Sequence, residues 1–324
     1  MVTPDTTQFR SRYSGWGAPL RSIRIGPFAR VKLLFLGSHS SQSTATLSSL
    51  FESGVVPSRI LVHDRLRPDA GRRLPLPIIG DTALAGPQEL GARQGIPTTL
   101  ICREQLAPMI TEERPDMVLV SCLPFRISEE LLSRVPLGWL NIHPSPLPAY
   151  RGPAPVFWQL RDGAESIGVT LHRMTGQLDR GPILDQAVIK PSVGATHSQI
   201  AALAGEQGGW MFTRLVSGSP STLPKGKIQP AVEIPWHPKP QESDFEIDPS
   251  WGARHIFSFV KGVRELGTPL FPEPGGRPIP IDDALKWNAP SRTRSRSGER
   301  SDGIRVSCYD GLVTLLPVNR DDKS

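Results

Sequence analysis

The sequence predicts an α/β fold, with a Rossmann-like, mostly parallel sheet followed by a smaller, β-rich C-terminal domain. Between residues 31 and 218, short apolar runs alternate with stretches of helical periodicity, which is typical of βαβ units. After residue 218 the chain becomes rich in proline and loses its periodicity, which indicates a linker. The length of 324 residues accommodates two domains of ordinary size.

The strands of the first domain are predicted from short apolar runs that end at glycine, proline or a polar residue. The run "VKLLFLGS" stops at Gly37, and "DMVLVSC" is the most apolar of the set. The final two strands are expected to pair with each other. The predicted strands occupy residues 31–38, 58–64, 98–102, 116–122, 138–143, 166–174 and 181–190.

Helices are predicted where apolar residues recur at helical spacing and where glycine or proline ends the pattern. Leu47, Leu50 and Phe51 have this spacing, and Gly54 follows them. The predicted helices of the first domain occupy residues 44–54, 88–97, 104–115, 127–135 and 196–218.

The remaining chain divides into a linker at 219–249 and a C-terminal domain at 250–324. An amphipathic helix is predicted over residues 250–266, and strands are predicted over 277–287 and 303–318, the latter as a hairpin. A basic, serine-rich segment at 289–302 is expected to be flexible.

Residues 1–30 contain five arginines, one acidic residue and no lysine. An arginine-rich, acid-poor start is typical of organelle transit peptides. It also fits a disordered extension, or a start codon assigned too far upstream of the first strand. We favour the extension over a targeting segment.

Composition excludes several classes of protein. No run of about 18 apolar residues is present, so we expect a soluble, cytoplasmic protein with no membrane contact. The three cysteines, Cys102, Cys122 and Cys308, are isolated, which predicts neither a disulfide framework nor a zinc site. The net charge of +6 favours an anionic partner, such as a nucleic acid, a nucleotide or a polyglutamate tail, although it also serves solubility.

The stretch "NIHPSPLPAYRG", residues 141–152, contains the first candidate site. Asn141 and His143 lie at the predicted carboxyl end of a strand, where open parallel sheets bind ligands, and the prolines that follow stiffen the loop. An amide donor beside an imidazole can stabilise an oxyanion and move protons in acyl transfer. The alternative is a proline-rich surface loop whose histidine binds backbone.

Asp179, in "QLDRGPIL", lies at a turn before an apolar strand. An Asp-x-Gly turn by itself is structural, so Asp179 becomes a functional candidate only if the fold brings it to His143. Gly37 follows the first strand, but the other glycines of a dinucleotide or phosphate loop are absent from the sequence. A nucleotide-phosphate site is therefore not expected there.

Taken together, "LNIHPSPLPAYRGPAPVFWQL" and "IGVTLHRMTGQLDRGPIL" resemble the folate-dependent formyltransferases, and the resemblance spans residues 31–218. Within that family, the two-domain layout is most similar to the methionyl-tRNA formyltransferases. The resemblance implies the formyltransferase fold and a C-terminal β-barrel-like domain of the OB type. One departure is "TGQLDRG" at 175–181, where the family usually has "DEGLDTG".

The resemblance also implies a mechanism. An acceptor amine attacks the formyl carbon of the cosubstrate 10-formyltetrahydrofolate. Asn141 and a protonated His143 hold the oxyanion, and Asp179 orients His143 and accepts the amine proton. A nearby carboxylate favours the charged imidazole, and no metal is required.

Two groups of binding residues follow from the resemblance. The folate would contact Leu123, Phe125, Arg126, Ile127, Ser128, Pro144, Ser145, Thr175, Gly176, Gln177 and Leu178. The acceptor would contact Gly37, Ser38, Arg65, Arg67, Arg72, Arg73, Arg151 and Gly152.

Three hypotheses for the function remain open. The basic loop at 64–77 and the domain layout favour initiator Met-tRNA as the acceptor. The altered Asp179 turn favours a small amine, such as a nucleotide-linked amino sugar or a hydroxyornithine-type siderophore precursor. A non-catalytic folate-binding relative is the third possibility, and Asn141, His143 and Asp179 argue against it. The sequence does not predict the oligomeric state.

Overall fold

The computed structural model describes residues 31–63, 86–218, 223–230, 234–273, 275–289 and 303–318. Three sequence features therefore lie outside the described residues. They are the N-terminal extension at 1–30, the four arginines of the basic loop, and the serine-rich segment from residue 290 to residue 302.

A seven-stranded sheet forms the centre of the first domain, as predicted. Its strands are β1 (Leu33–Ser38), β2 (Arg59–His63), β3 (Thr98–Ile101), β4 (Met117–Ser121), β5 (Trp139–His143), β6 (Ile167–Arg173) and β7 (Ile183–Ile189). The strand order is β3-β2-β1-β4-β5-β6-β7. The first five strands pair in parallel, whereas β6 pairs antiparallel with both β5 and β7. The predicted mostly parallel sheet is confirmed.

Helices cover both faces of this sheet. They are α1 (Ser41–Glu52), α2 (Pro87–Arg93), α3 (Arg103–Glu113), α4 (Glu129–Ser133), α5 (Pro155–Arg161) and α6 (His197–Gly218). Helix α1 begins three residues before its predicted start, because the Ser40 side chain caps it by accepting a hydrogen bond from Ser43 N. Helix α5 is not predicted from the sequence, since it has only seven residues and begins at a proline.

The C-terminal part consists of helix α7 (Ala253–Val263) and an open antiparallel sheet that forms half of a barrel. The sheet contains β8 (Leu270–Phe271), β9 (Ile279–Asn288), β10 (Ile304–Cys308) and β11 (Gly311–Pro317), in the order β10-β11-β9-β8. Strands β10 and β11 form the predicted hairpin around Tyr309 and Asp310.

The two parts share a hydrophobic core. Phe157 of α5 lies against Phe245, at 4.9 Å between ring centroids, and against Phe259 of α7, at 5.9 Å. Phe245 and Ile247 belong to the predicted linker, yet both are buried. The proline-rich connector therefore packs against both parts of the molecule. In the described ranges, no helix is long and apolar enough to cross a membrane.

Candidate active site

Asn141 and His143 lie on the same face of the sheet, because alternate residues of a strand point the same way. Strand β5 lies between β4, which runs parallel to it, and β6, which runs antiparallel. Asn141 is half-buried, and His143 is 5% exposed at the carboxyl end of the strand. The two polar side chains predicted from the sequence are therefore at the expected edge.

The structure brings Asp179 to His143, which was the condition for treating this turn as more than structural. His143 Nδ1 is 3.6 Å from Asp179 Oδ1, and His143 Nε2 donates to the Tyr150 carbonyl at 3.1 Å. Because the carbonyl engages Nε2, the nitrogen that faces the carboxylate is Nδ1. A separation of 3.6 Å is too long for a direct hydrogen bond, and it leaves space for a bridging oxygen.

The turn that carries Asp179 is held from the other side. Asp179 Oδ2 accepts a hydrogen bond from Gly152 N at 3.0 Å. Asp179 and Tyr150 both have a φ of 55°, in the left-handed region that few residues other than glycine occupy. Strained backbone of this kind concentrates at functional sites, where the surrounding structure maintains it.

Two glycines are required by close backbone packing at this point. Gly152 has a φ of 133°, and a Cβ on it would collide with the His237 carbonyl oxygen. A Cβ on Gly181 would collide with the Arg173 carbonyl oxygen. Gly152 therefore allows its loop to approach the connector, and Gly181 allows the Asp179 turn to pack against the end of β6.

His172 is a functional candidate that the sequence reasoning missed. It lies directly opposite Asn141 in the register of β5 and β6. Asn141 Nδ2 donates to His172 Nε2 at 3.1 Å, and His172 Nδ1 donates to the Arg173 carbonyl at 2.9 Å. The sequence offered one signal for this role. His172 occupies an inward-facing position of the predicted strand 166–174.

Burial lowers the pKa of His172 to about 4, and the nearby His143 adds to this effect while Asp179 opposes it. His172 is therefore neutral near pH 7, and its Nε2 lone pair is available to accept from Asn141. This bond fixes the orientation of the Asn141 amide.

The free energy of unfolding is expected to fall as the pH is lowered from 6.5 towards about 4, because the unfolded chain protonates His172 and the folded chain excludes that proton. The contribution of the lowered His172 pKa to the free energy of unfolding is present in full above pH 6.5 and is on the order of a few kcal/mol. Urea unfolding of the parent chain and of His172→Gln between pH 7.5 and pH 4.5 measures it. On acidification, His172→Gln is expected to lose less unfolding free energy than the parent chain. The exposed His39→Gln variant is expected to lose as much as the parent chain. Parallel curves for the parent and His172→Gln would contradict the prediction.

The segment after β4, predicted to contact folate, forms one wall beside the candidate site. Arg126 donates from Nη2 to the Gly176 carbonyl and so joins this wall to the Asp179 turn. Phe125 is half-buried, and its ring lies 5.2 Å from that of His63. Ile127 and Ser128 have structural roles, since Ile127 is buried and Ser128 caps α4. Leu123 is partly buried against the core cluster that contains Ile127.

The opposite wall is the segment from Thr175 to Leu178. The Thr175 side chain binds the backbone of Gln177, and Leu178 is 41% exposed. Gly176 is buried against Glu129. Gln177 has no positive φ, so replacing the family's glycine with glutamine strains nothing here.

Several other predicted contact residues are buried, either in the loop after β5 or at the end of β1. Pro144 accepts a hydrogen bond from Gln159 at 2.8 Å, and Ser145 Oγ donates to the Ala149 carbonyl at 2.8 Å. Ser38 is fully buried, and its backbone N–H donates to Ser43 Oγ at 3.0 Å. A Cβ on Gly37 would meet the Phe35 side chain at 2.7 Å.

Arg151, predicted to contact the acceptor, is 2% exposed and donates to Gln229 at 2.6 Å. Gln229 belongs to the connector and is the second candidate that sequence reasoning missed. The remaining predicted acceptor residues, Arg65, Arg67, Arg72 and Arg73, lie outside the described residues. Within the described part of the chain, no group of three or more histidines, cysteines or acids is placed to hold a metal ion.

The arrangement combines an oriented amide, an imidazole and a carboxylate around one strand end, which suits acyl or formyl transfer. A model of the formyl transferase family matches residues 86–216. The resemblance to the formyltransferases that the sequence predicted is confirmed over these residues.

Its relatives include methionyl-tRNA formyltransferases. That of Myxococcus xanthus is 26% identical over 312 residues, which cover 91% of this chain and 92% of the relative. The mitochondrial methionyl-tRNA formyltransferase of Mus musculus is 34% identical over 125 residues, which cover 38% of this chain and 32% of the relative.

Solved structures share the fold. An N-formyltransferase from Helicobacter canadensis, in complex with folinic acid and dTDP-3-aminofucose, is 14% identical with a TM-score of 0.57 and covers 89% of this chain and 100% of that one. A variant of HypX from Aquifex aeolicus is 15% identical with a TM-score of 0.56 and covers 88% of this chain and 45% of that one.

Proposed function

We propose that the protein transfers the formyl group of 10-formyltetrahydrofolate to an amine, and that the acceptor is initiator Met-tRNA. The observation that carries the proposal is the convergence of Asn141, His143 and Asp179 at one strand end, with His143 Nδ1 at 3.6 Å from Asp179 Oδ1. The same three residues argue against a non-catalytic relative.

The folate supplies an activated formyl carbon. The acceptor amine adds to this carbon, and the formyl oxygen becomes an oxyanion. Asn141 Nδ2 and protonated His143 Nδ1 stabilise the oxyanion by donating hydrogen bonds to it. Asp179 holds the charged imidazole and accepts the amine proton, directly or through a water. When the bond between the formyl carbon and N10 breaks, that proton passes to N10.

The two walls beside this triad support folate as the cosubstrate. Leu178 is a hydrophobic side chain left 41% exposed on one wall, and the half-buried Phe125 lies on the other. Apolar surface with a few polar backbone groups suits a flat heterocycle such as a pterin. Arg126 donates to the Gly176 carbonyl and so joins the two walls.

Three features support Met-tRNA as the acceptor. The Myxococcus xanthus methionyl-tRNA formyltransferase matches 91% of the chain. The net charge is +6, and Arg65, Arg67, Arg72 and Arg73 follow β2 in the sequence. Clustered arginines bind nucleic-acid phosphates.

A small amine is the second candidate acceptor. The altered turn favours it, since Thr175 and Gly176 stand where the family usually has two acids. The Helicobacter canadensis enzyme, whose structure contains a dTDP-linked amino sugar, shares the fold.

With Met-tRNA as acceptor, kcat/KM is expected to fall at least about tenfold between 50 and 200 mM salt, because phosphate contacts release counterions. Formyl transfer from 10-formyltetrahydrofolate is measured with initiator Met-tRNA and, separately, with a dTDP-amino sugar. The double variant Arg72→Glu, Arg73→Glu is expected to impair only the tRNA reaction. The matched control is Arg277→Glu with Lys286→Glu, a pair of exposed basic residues in the C-terminal part.

The outcomes separate the candidates. Transfer to the amino sugar but not to Met-tRNA would replace the proposed acceptor and keep the chemistry. Binding of the folate without transfer to either amine would favour the non-catalytic relative.

A further inference from the structure

Gln229 lies in the proline-rich connector, yet its side chain reaches both loops of the candidate active site. It is 7% exposed. Its amide oxygen accepts from Arg151 Nη2 at 2.6 Å and from Arg151 Nε at 3.3 Å. Its amide nitrogen donates to the Asp179 carbonyl at 2.9 Å and to the Gly181 carbonyl at 2.8 Å. One side chain therefore joins the "YRG" loop to the Asp179 turn.

The backbone on each side of Gln229 is anchored to the same elements. Lys227 and Ile183 exchange two backbone hydrogen bonds, at 2.7 and 2.8 Å. On the other side, His237 N donates to the Arg151 carbonyl at 2.9 Å. The connector is therefore held in register with β7 and with the "YRG" loop, which limits how far Gln229 can move.

The charge at this point explains why an amide is suited to the position. Arg151 is 2% exposed, and burial lowers the pKa of its guanidinium, with Arg180 adding to the effect and Asp179 opposing it. Gln229 satisfies two of the guanidinium nitrogens without neutralising the charge. That charge remains available to the Asp179 carboxylate, whereas a glutamate at this position would compete for it.

We infer that Gln229 is a positioning residue for formyl transfer, acting through the Asp179 turn and Arg151. Its four hydrogen bonds fix the turn so that Asp179 Oδ2 stays on Gly152 N and Asp179 Oδ1 stays directed at His143. The inference rests on the proposed function. It also extends the active site into the connector, beyond the residues that the formyl transferase family model matches, which end at 216.

The test compares two substitutions of Gln229 with a neighbouring control. Gln229→Met keeps the length of the side chain and loses all four hydrogen bonds. Gln229→Glu keeps an acceptor for Arg151 but turns a carboxylate towards two carbonyl oxygens. Ile228→Ala is the control, because Ile228 belongs to the same segment and is 81% exposed.

Both Gln229 variants are expected to lower kcat about 10- to 100-fold, because misplacement of a reacting group by about an ångström has effects of this size. The KM for 10-formyltetrahydrofolate is expected to change less than about threefold, since the four hydrogen bonds of Gln229 go to Arg151, Asp179 and Gly181 and not to the folate walls. Ile228→Ala is expected to stay within twofold of the parent chain. Melting temperatures are recorded for each variant.

A double-mutant cycle with Arg151→Met separates a positioning role of Gln229 from a non-specific destabilisation of the fold. Because Gln229 and Arg151 act through one network, the double variant is expected to lose less than the product of the two single losses. Multiplicative losses would overturn the inference. A kcat for Gln229→Met within twofold of the parent chain would also overturn it. The same holds if every variant, including Ile228→Ala, loses kcat and melting temperature to the same extent. An inactive parent chain that still binds 10-formyltetrahydrofolate would overturn the proposed function, and this inference with it.

Discussion

Replacing His143 by alanine, or Asp179 by asparagine, is expected to lower kcat for formyl transfer by about 10³-fold. In the proposed mechanism, His143→Ala removes the donor to the developing oxyanion. Asp179→Asn removes the carboxylate that lies 3.6 Å from His143 Nδ1 and to which that mechanism assigns the amine proton. The measurement is tetrahydrofolate release from 10-formyltetrahydrofolate in the presence of the acceptor, under single-turnover conditions.

Folding must be checked beside the rate, because Asp179 also accepts from Gly152 N at 3.0 Å. Asparagine retains an oxygen for that bond, so Asp179→Asn is expected to melt within a few degrees of the parent chain. The control is Asp282→Asn, which alters an exposed residue of β9 in the C-terminal part. Full activity in either His143→Ala or Asp179→Asn would exclude the proposed mechanism.

Asn141→Ala is expected to lower kcat by about 10²–10³-fold, the usual cost of removing one oxyanion donor. The KM for the folate is expected to change little, since the bond to the oxygen strengthens only as charge develops on it. Asn141→Asp is expected to be at least as damaging, because a carboxylate would repel the oxyanion. Steady-state kinetics with varied 10-formyltetrahydrofolate give kcat and KM separately.

The control for this series is Asn288→Ala, an exposed asparagine at the end of β9. A kcat for Asn141→Ala within tenfold of the parent would assign Asn141 a structural role. The Asn141–His172 hydrogen bond would then be a part of the sheet interior and not a device that orients the amide.

The connector is a packed structural element that joins the two parts of the chain. A proline-rich segment without periodicity is usually read as a passive linker. Here its backbone is fixed to Ile183 and Arg151, and its Gln229 side chain binds the turn that carries Asp179. The C-terminal half-barrel is therefore tied to the candidate active site through the connector.

Much of the fold could be predicted from the sequence, because local rules decide it. The apolar runs of β1 and β4 and the glycine and proline stops around them define buried strands. The period of α6 defines a long amphipathic helix, confirmed as His197–Gly218. Helix α5 escaped prediction, because its packing against Phe245 and Phe259 is what stabilises its seven residues.

That Asn141 and His143 share one face at the end of a strand could be predicted from their spacing, because residues two apart in a strand lie on the same face. The residues that they contact depend on how distant parts of the chain pack together. Asn141 and His172 are 31 residues apart, and Arg151 and Gln229 are 78 apart. Their contacts depend on the antiparallel insertion of β6 beside β5 and on the path of the connector. No local periodicity encodes either feature, since long-range pairing is set by the packing of the whole sheet.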